Sequence, residues 1–296
     1  MSSSNNFVRP TTPPKYFGLD IDGTFHAFDA KAFEKNRKAF RKMMEAGYVP
    51  FCCTGMLRLI VSYVCLGRPL LGTYGVLEEL YSDGVYKGFP GVYQNGAAVY
   101  NEHGDLINAV TFDKAFLRRF CAIIEEHDLR ELAVFISGSC VYTLSEESEC
   151  WDHIIGIWDL DVKTECVSAD RIVDAGIIQI ILWNYKKCAP YLLFTEGEDF
   201  VIKHGACGLS DINPPGVTKA RGIAKLLECQ GVNVSDCGFI GDGSNDIEAM
   251  QASNMSFAVG NASDEVKSHA KYVLEETNEE GAFAKAISLL YGITVD

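Results

Sequence analysis

Three short runs, each almost wholly apolar and each closed by polar residues, constrain the possible folds of this chain more than any other feature. Tyr16 to Ile21 runs into Asp20-Ile21-Asp22-Gly23-Thr24, and Tyr48 to Cys53 runs into Thr54-Gly55. Cys237 to Ile240 runs into Gly241-Asp242-Gly243-Ser244-Asn245-Asp246. Strands this short and this uniformly apolar are buried on both faces, as in parallel sheets covered by helices. The stretches between them read as helices. Ala30 to Ala46 is closed by Gly47, and Thr218 to Cys229 sets Ala220, Ile223, Ala224 and Leu227 on one face. Helical Ile247 to Ala252, extended Met255 to Val259, helical Ser263 to Ala270, extended Tyr272 to Leu274 and helical Ala282 to Leu290 continue the alternation.

The middle of the chain breaks this rhythm. Hairpin strands are expected at Ala98 to Tyr100 and Leu106 to Val110, a helix at Lys114 to His127, and a second hairpin at Leu132 to Ile136 and Cys140 to Leu144. Ile177 to Leu182 adds another apolar strand, while Arg68 to Gly91 has no assignable pattern. The expected architecture is an α/β, Rossmann-like core with a parallel sheet, interrupted by an inserted α+β cap domain. The core would span 15–96 and 204–296 and the cap 97–203, after a flexible tail at 1–14.

Composition excludes some functions. With 48% apolar and 22% charged residues, the 296-residue chain is globular rather than disordered. A net charge of −14 argues against nucleic acid as a partner, since such binding draws on clustered Lys and Arg. It does not exclude an anionic substrate, because a bound divalent cation inverts the local field at a carboxylate cluster. No apolar run is long enough to span a bilayer, and the polar opening MSSSNNFVRPTTPPK lacks the apolar stretch of a secretory signal. The 11 cysteines include no CxxC pair and are expected to be reduced, buried thiols of a cytoplasmic protein.

The polar strand ends form a chemically coherent set. Ligands of open α/β sheets sit beyond the carboxyl ends of the strands, where all three clusters fall, and Lys219 begins a helix nearby. Asp20, Asp22 and Asp242 are hard oxygen ligands of the kind magnesium prefers. With a cation present, Asp20 stays ionised and can attack phosphorus, while Asp22 can protonate the leaving oxygen and later activate water. Thr54, the Gly55 amide, Lys219 and Asn245 are donors suited to the phosphoryl oxygens, and Asp246 can orient Lys219 or a metal-bound water. Other readings of these loops fail on spacing. A calcium loop from Asp20 would have Phe25 where glycine belongs, and a dinucleotide fingerprint would have Asp246 in place of its third glycine. Asp and Asn also serve as plain turn and cap residues, an explanation that weakens as four such clusters recur in order.

DIDGTF, the Thr-Gly pair after an apolar strand, the helix-initial lysine and GDGSNDIEAM resemble the four motifs of the haloacid dehalogenase (HAD) superfamily. FAVGNASDEVKSHAKYV, NEEGAFAKAI and QNGAAVY resemble its Cof-type phosphatase branch, the last at the point where that branch enters its cap. The resemblance implies Asp20 as nucleophile and metal ligand, Asp22 as general acid/base with its backbone carbonyl on the metal, and Asp242 as third ligand. It further implies that Thr54, Gly55, Lys219 and Asn245 hold the phosphoryl group, with Asp246 in support and Asn95 near the substrate. An Asn-Gly turn explains Asn95 equally well. Where the branch often has Arg after Thr-Gly, this chain has Met56. In the cap, Trp151, Asp152, His153 and Trp158 form a polar-aromatic patch that either contacts a sugar or simply packs.

The implied function is a Mg2+-dependent phosphatase for small, sugar-like phosphomonoesters, acting through an aspartyl-phosphate as a monomer or homodimer. Two alternatives stay open: a phosphomutase with the same nucleophile, and a non-catalytic metabolite- or protein-binding regulator, against which intact Asp20 and Asp22 weigh.

Overall fold

The computed structural model describes residues 2–3, 7–55, 86–138, 140–158, 164–205 and 208–295. Their strands fall into two sheets. The first begins with β1 (Ser2–Ser3), β2 (Tyr16–Leu19), β3 (Val49–Cys53), β4 (Gly91–Tyr93), β5 (Ala98–Tyr100) and β6 (Leu106–Ala109). The second contains β7 (Ala133–Ile136), β8 (Val141–Thr143), β9 (Glu165–Cys166), β10 (Gln179–Trp183), β11 (Val201–His204) and β12 (Leu209–Asn213). The chain then returns to the first sheet as β13 (Gly238–Gly241), β14 (Met255–Ala258) and β15 (Tyr272–Val273).

Strand order in the first sheet is β1-β15-β14-β13-β2-β3-β4-β5-β6, parallel from β1 to β4 and antiparallel from β4 to β6. From β2 the chain winds outward through β3 and β4. From β13 it winds the other way. The two meet where β2 and β13 pair, with Leu19 opposite Ile240. Connections that leave a parallel sheet in opposite directions open a crevice at the carboxyl ends of those strands. Asp20 and Asp242 therefore emerge side by side. The helices Ala30–Glu45 and Ala282–Tyr291 pack together beside the sheet, burying Phe40, Met43, Phe283 and Ile287. Asp29 starts the first of them by accepting the Lys31 and Ala32 amides.

Sheet membership differs from the expected 97–203 cap. The hairpin β5–β6 extends the first sheet, because β5 pairs with β4 along Gly91–Tyr93. Strand β12 belongs to the second sheet, held antiparallel between β10 and β11. The chain thus crosses between sheets at 110–113 and again at 214–218. We refer to the second sheet and its helices as the cap.

Alternation divides the cap sheet. Ile180, Leu182 and Ile212 join Phe116, Phe120 and Phe135 in the cap's own core. Val134, Ile136, Ile181 and Leu209 point the other way and merge with the core of the first sheet, with Trp151 and Ile154 of the helix Glu149–Trp158 between them. Asp211 and Asn213, which alternate with Ile212, lie on this second face. Among the described residues, no helix is long and apolar enough to cross a membrane.

Candidate active site

The backbone after β2 and the backbone after β13 are tied directly together. The Asp20 amide donates to the Ile240 carbonyl at 3.0 Å, and Thr24 Oγ1 donates to Asp242 Oδ1 at 2.8 Å. The turn between them needs glycine. Gly23 has φ +73°, and a Cβ there would lie 2.5 Å from Asp242 Oδ2.

Asp246 organises the opposite loop. Its Oδ2 accepts the Asp242 and Gly243 amides at 3.0 and 2.9 Å, and its Oδ1 accepts from Lys219 Nζ at 2.7 Å. Lys219 opens the helix Lys219–Glu228, with Thr218 capping it by accepting the Arg221 amide. The same ammonium donates to Asp20 Oδ1 at 2.6 Å, and both Lys219 and Asp246 are fully buried.

A third segment closes the site. The Asn95 amide donates to the Thr54 carbonyl at 3.0 Å, and Asn245 Nδ2 donates to Asn95 Oδ1 at 2.9 Å. Asn95 Oδ1 would stand 3.1 Å from a Cβ on Gly55, so this side chain sits between the Thr54-Gly55 and Asn245 loops. Asn95 is thus both a turn residue, at φ 57°, and part of the cluster. Gly96, at φ +105°, lets the turn pack against the Thr218 carbonyl, where any Cβ would collide. Asn95 Nδ2 reaches Asn213 Oδ1 at 3.5 Å, joining the two segments that lead into and out of the cap.

Electrostatics follow from this crowding. Burial first, then the charges of Asp246 and Asp242, raises the Asp20 carboxyl well above its ordinary value, against the pull of Lys219. Burial also raises Asp242, while the Thr24 hydrogen bond opposes the shift. For Lys219, burial favours the neutral amine, but the neighbouring Asp20 and Asp246 outweigh it and its pKa rises. Asp22 is exposed to solvent yet surrounded by protein. That crowding, with Asp242 adding and Lys219 subtracting, brings it to about 6.

One oxygen from each of Asp20, Asp242 and Asp246 lies within 4.8 Å of the others. The Asp246 oxygens are already engaged by Lys219 and two amides. A cluster of carboxyls raised first by burial and further by one another's charge fits a divalent cation, which would stabilise their ionised forms. Magnesium prefers one or two carboxylates completed by water and phosphate oxygens.

The structure therefore brings Asp20, Asp22, Thr54, Gly55, Asn95, Lys219, Asp242, Asn245 and Asp246 to one edge of the sheet. Met56 and the Trp158 side chain lie outside the described residues. Trp151 is buried in the shared core, and the His153 ring stands 5.2 Å from that of Trp183. Sequence reasoning missed Thr24, Lys203, Asp211 and Asn213. A cleft is lined by Lys203 and Asn213 from the cap and by Lys219, Asn95 and Asn245. Asp211 stands near Asp22: burial, then the Asp22 charge, raises it to about 7. Period-two alternation along Leu209–Asn213 would have placed Asp211 and Asn213 on one face, had that strand been assigned to the cap.

Comparison with known proteins identifies the group. Residues 17–287 match the family model for haloacid dehalogenase-like hydrolases. The 5-amino-6-(5-phospho-D-ribitylamino)uracil phosphatase YbjI of Escherichia coli is 39% identical over 272 residues, covering 90% of this chain and 93% of that protein. A chloroplastic endoribonuclease YBEY of Arabidopsis thaliana is 26% identical over 279 residues, and the match spans only 46% of its length. Among solved structures, the subclass IIB sugar phosphatase BT4131 superposes with a TM-score of 0.72 at 19% identity, over 94% of this chain and 98% of that one, a likeness of fold. The chain belongs to the haloacid dehalogenase-like hydrolases, in their Cof-type branch, and by class it is a phosphoric monoester hydrolase.

Proposed function

We propose that this enzyme is a magnesium-dependent phosphatase that forms an aspartyl-phosphate on Asp20 and hydrolyses small phosphomonoesters of sugars and sugar alcohols in the cytoplasm. The observation that carries the reading is the grouping of Asp20 with Lys219, Asp242 and Asp246 at the switch point of the sheet. Asp20 and Asp242 would hold the cation through their carboxylates, together with the Asp22 backbone carbonyl. When bound, the cation offsets the negative charge of the carboxylates and of the phosphoryl oxygens.

Asp20 attacks phosphorus as the bond to the leaving oxygen breaks, and Asp22 gives that oxygen its proton. In the second half, Asp22 takes a proton from water, which attacks phosphorus and frees Asp20. Lys219, Thr54, the Gly55 amide and Asn245 hold the equatorial oxygens, where charge must be stabilised in both steps. Asp246 fixes Lys219 and the Asp242 backbone. Asn95 contacts the bound substrate. The relatives support the substrate class: YbjI is named for a phosphorylated ribityl group and BT4131 for a sugar phosphate. None of the nine described cysteines is in a disulfide, and most are buried, which fits a reducing compartment.

The test is a panel of aldose and alditol phosphates, with magnesium and with EDTA, scoring phosphate release against substrate loss. The reading expects equal amounts of the two, and none with EDTA. Substrate loss without phosphate, accompanied by an isomerised ester, would assign the chain to the phosphomutases instead.

A further inference from the structure

Two charged cap side chains at the mouth of the site make no hydrogen bond or ion pair among the described residues. Lys203 on β11 stands directly opposite Asp211 on β12. Facing residues of an antiparallel pair share a side of the sheet, with Cβ atoms about 5 Å apart, and opposite charges there ordinarily pair. These two do not. Neither side chain makes an ion pair or hydrogen bond among the described residues, although both lie on the face turned toward the first sheet.

Their surroundings explain the separation. Lys203 is exposed and lines the cleft that leads down to Lys219, Asn95 and Asn245. Asp211 is half-buried between Lys203 and Ile181, its register partners on either side, and lies within electrostatic range of Asp22. A general acid must hydrogen-bond the oxygen it protonates. The atoms of the leaving group next to that oxygen therefore lie between Asp22 and the cap residues that face it. A carboxylate and an ammonium about one strand spacing apart, neither with a hydrogen-bond partner among the described residues, match a leaving group with several hydroxyls, each able to donate to one and accept from the other. An apolar or aromatic leaving group would satisfy neither, and a site built to hydrogen-bond hydroxyls discriminates strongly against ligands that lack them.

We propose that Asp211 and Lys203 are the specificity-determining residues of this enzyme, Asp211 accepting from hydroxyls adjacent to the ester oxygen and Lys203 donating to a more distant oxygen of the same polyol. The inference rests on the phosphatase reading above and adds which residues select the substrate. Its test compares kcat/KM for the best aldose or alditol phosphate of the panel with kcat/KM for p-nitrophenyl phosphate, with magnesium. The comparison is made in wild type, Asp211→Ala, Asp211→Asn and Lys203→Met. The preference for the polyol phosphate is expected to fall about tenfold or more in Asp211→Ala, mainly through KM, and less in Lys203→Met. Asp211→Asn keeps the shape of the strand and carries the test if the alanine variant does not fold. Equal losses on both substrates, no loss on either, or a wild type that prefers p-nitrophenyl phosphate would overturn the assignment. A wild type that releases phosphate from neither would overturn the phosphatase reading itself, and this inference with it.

Discussion

Lys219 Nζ lies 2.6 Å from Asp20 Oδ1 and is simultaneously shared with Asp246, with no part of the lysine open to solvent. A buried ammonium between two carboxylates is held in place by their combined charge, and it holds them in turn. This arrangement places a fully buried cation against the residue proposed as nucleophile. It also leaves the cluster short of positive charge, since Asp22 and Asp242 stand close by.

Removing that ammonium should therefore cost more than activity. Lys219→Met strands two buried carboxylates, a loss of about 3–5 kcal/mol for a broken buried pair. We expect a lowered urea midpoint, no detectable phosphate release, and a smaller stability loss at acidic pH, where Asp20, whose carboxyl is raised by burial, can protonate. A variant as stable as wild type at neutral pH would contradict the charge arrangement described here.

The Asn95-Gly96 turn fixes the start of the Lys219 helix. Gly96→Ala forces a non-glycine residue to φ +105° and drives its Cβ into the Thr218 carbonyl. The expected cost is about 2–4 kcal/mol from backbone strain plus overpacking. Equilibrium unfolding in urea reads it directly, and a neutral substitution would show that the turn is free to move.

Asp211 predicts a stability change of known sign. Its folded pKa is about 7 against an ordinary 3.8, so the folded state binds the proton more tightly than the unfolded chain does. That advantage is complete below the unfolded value and is lost as pH rises through the folded one. Asparagine has no proton to lose. Asp211→Asn should match wild type at acidic pH and exceed it by about 1–3 kcal/mol above neutrality. Urea midpoints across a pH series check this, and a gain independent of pH would refute the burial of a titrating carboxyl at this position. Retention of a destabilising acid is what a site residue, rather than a structural one, would entail.

Cation binding should be visible without turnover. A ligand present at a hundred times its Kd stabilises the fold by about 2.7 kcal/mol. Magnesium is expected to raise the wild-type Tm and to do so far less in Asp242→Asn, while calorimetry gives the affinity. An equal rise in both proteins would remove Asp242 from the metal site.

Much of this was legible in the sequence because of how parallel sheets work. Asp20, Thr54 and Asp242 directly follow apolar strands, so the sheet alone brings them to one edge whatever the rest of the chain does. Lys219 was readable as the first residue of an amphipathic helix. Thr24 is not legible in the sequence because its role depends on the loop after β13 lying alongside. Asp211 and Lys203 could not be read because they belong to β11 and β12, whose pairing with β10 is decided by non-local contacts. The local pattern of those residues is equally compatible with the first sheet. The hairpin β5–β6 was misplaced for the same reason in reverse: its alternation marks a strand pair but not the sheet it joins.

The most direct test of the central claim is phosphate release from p-nitrophenyl phosphate with magnesium, comparing wild type with Asp20→Asn. The substitution keeps the size of the side chain and replaces the nucleophilic carboxylate with a neutral amide. The account predicts release by wild type and none above background by Asp20→Asn, with the variant still folded. An Asp20→Asn protein that retained full activity would contradict the aspartyl-phosphate mechanism.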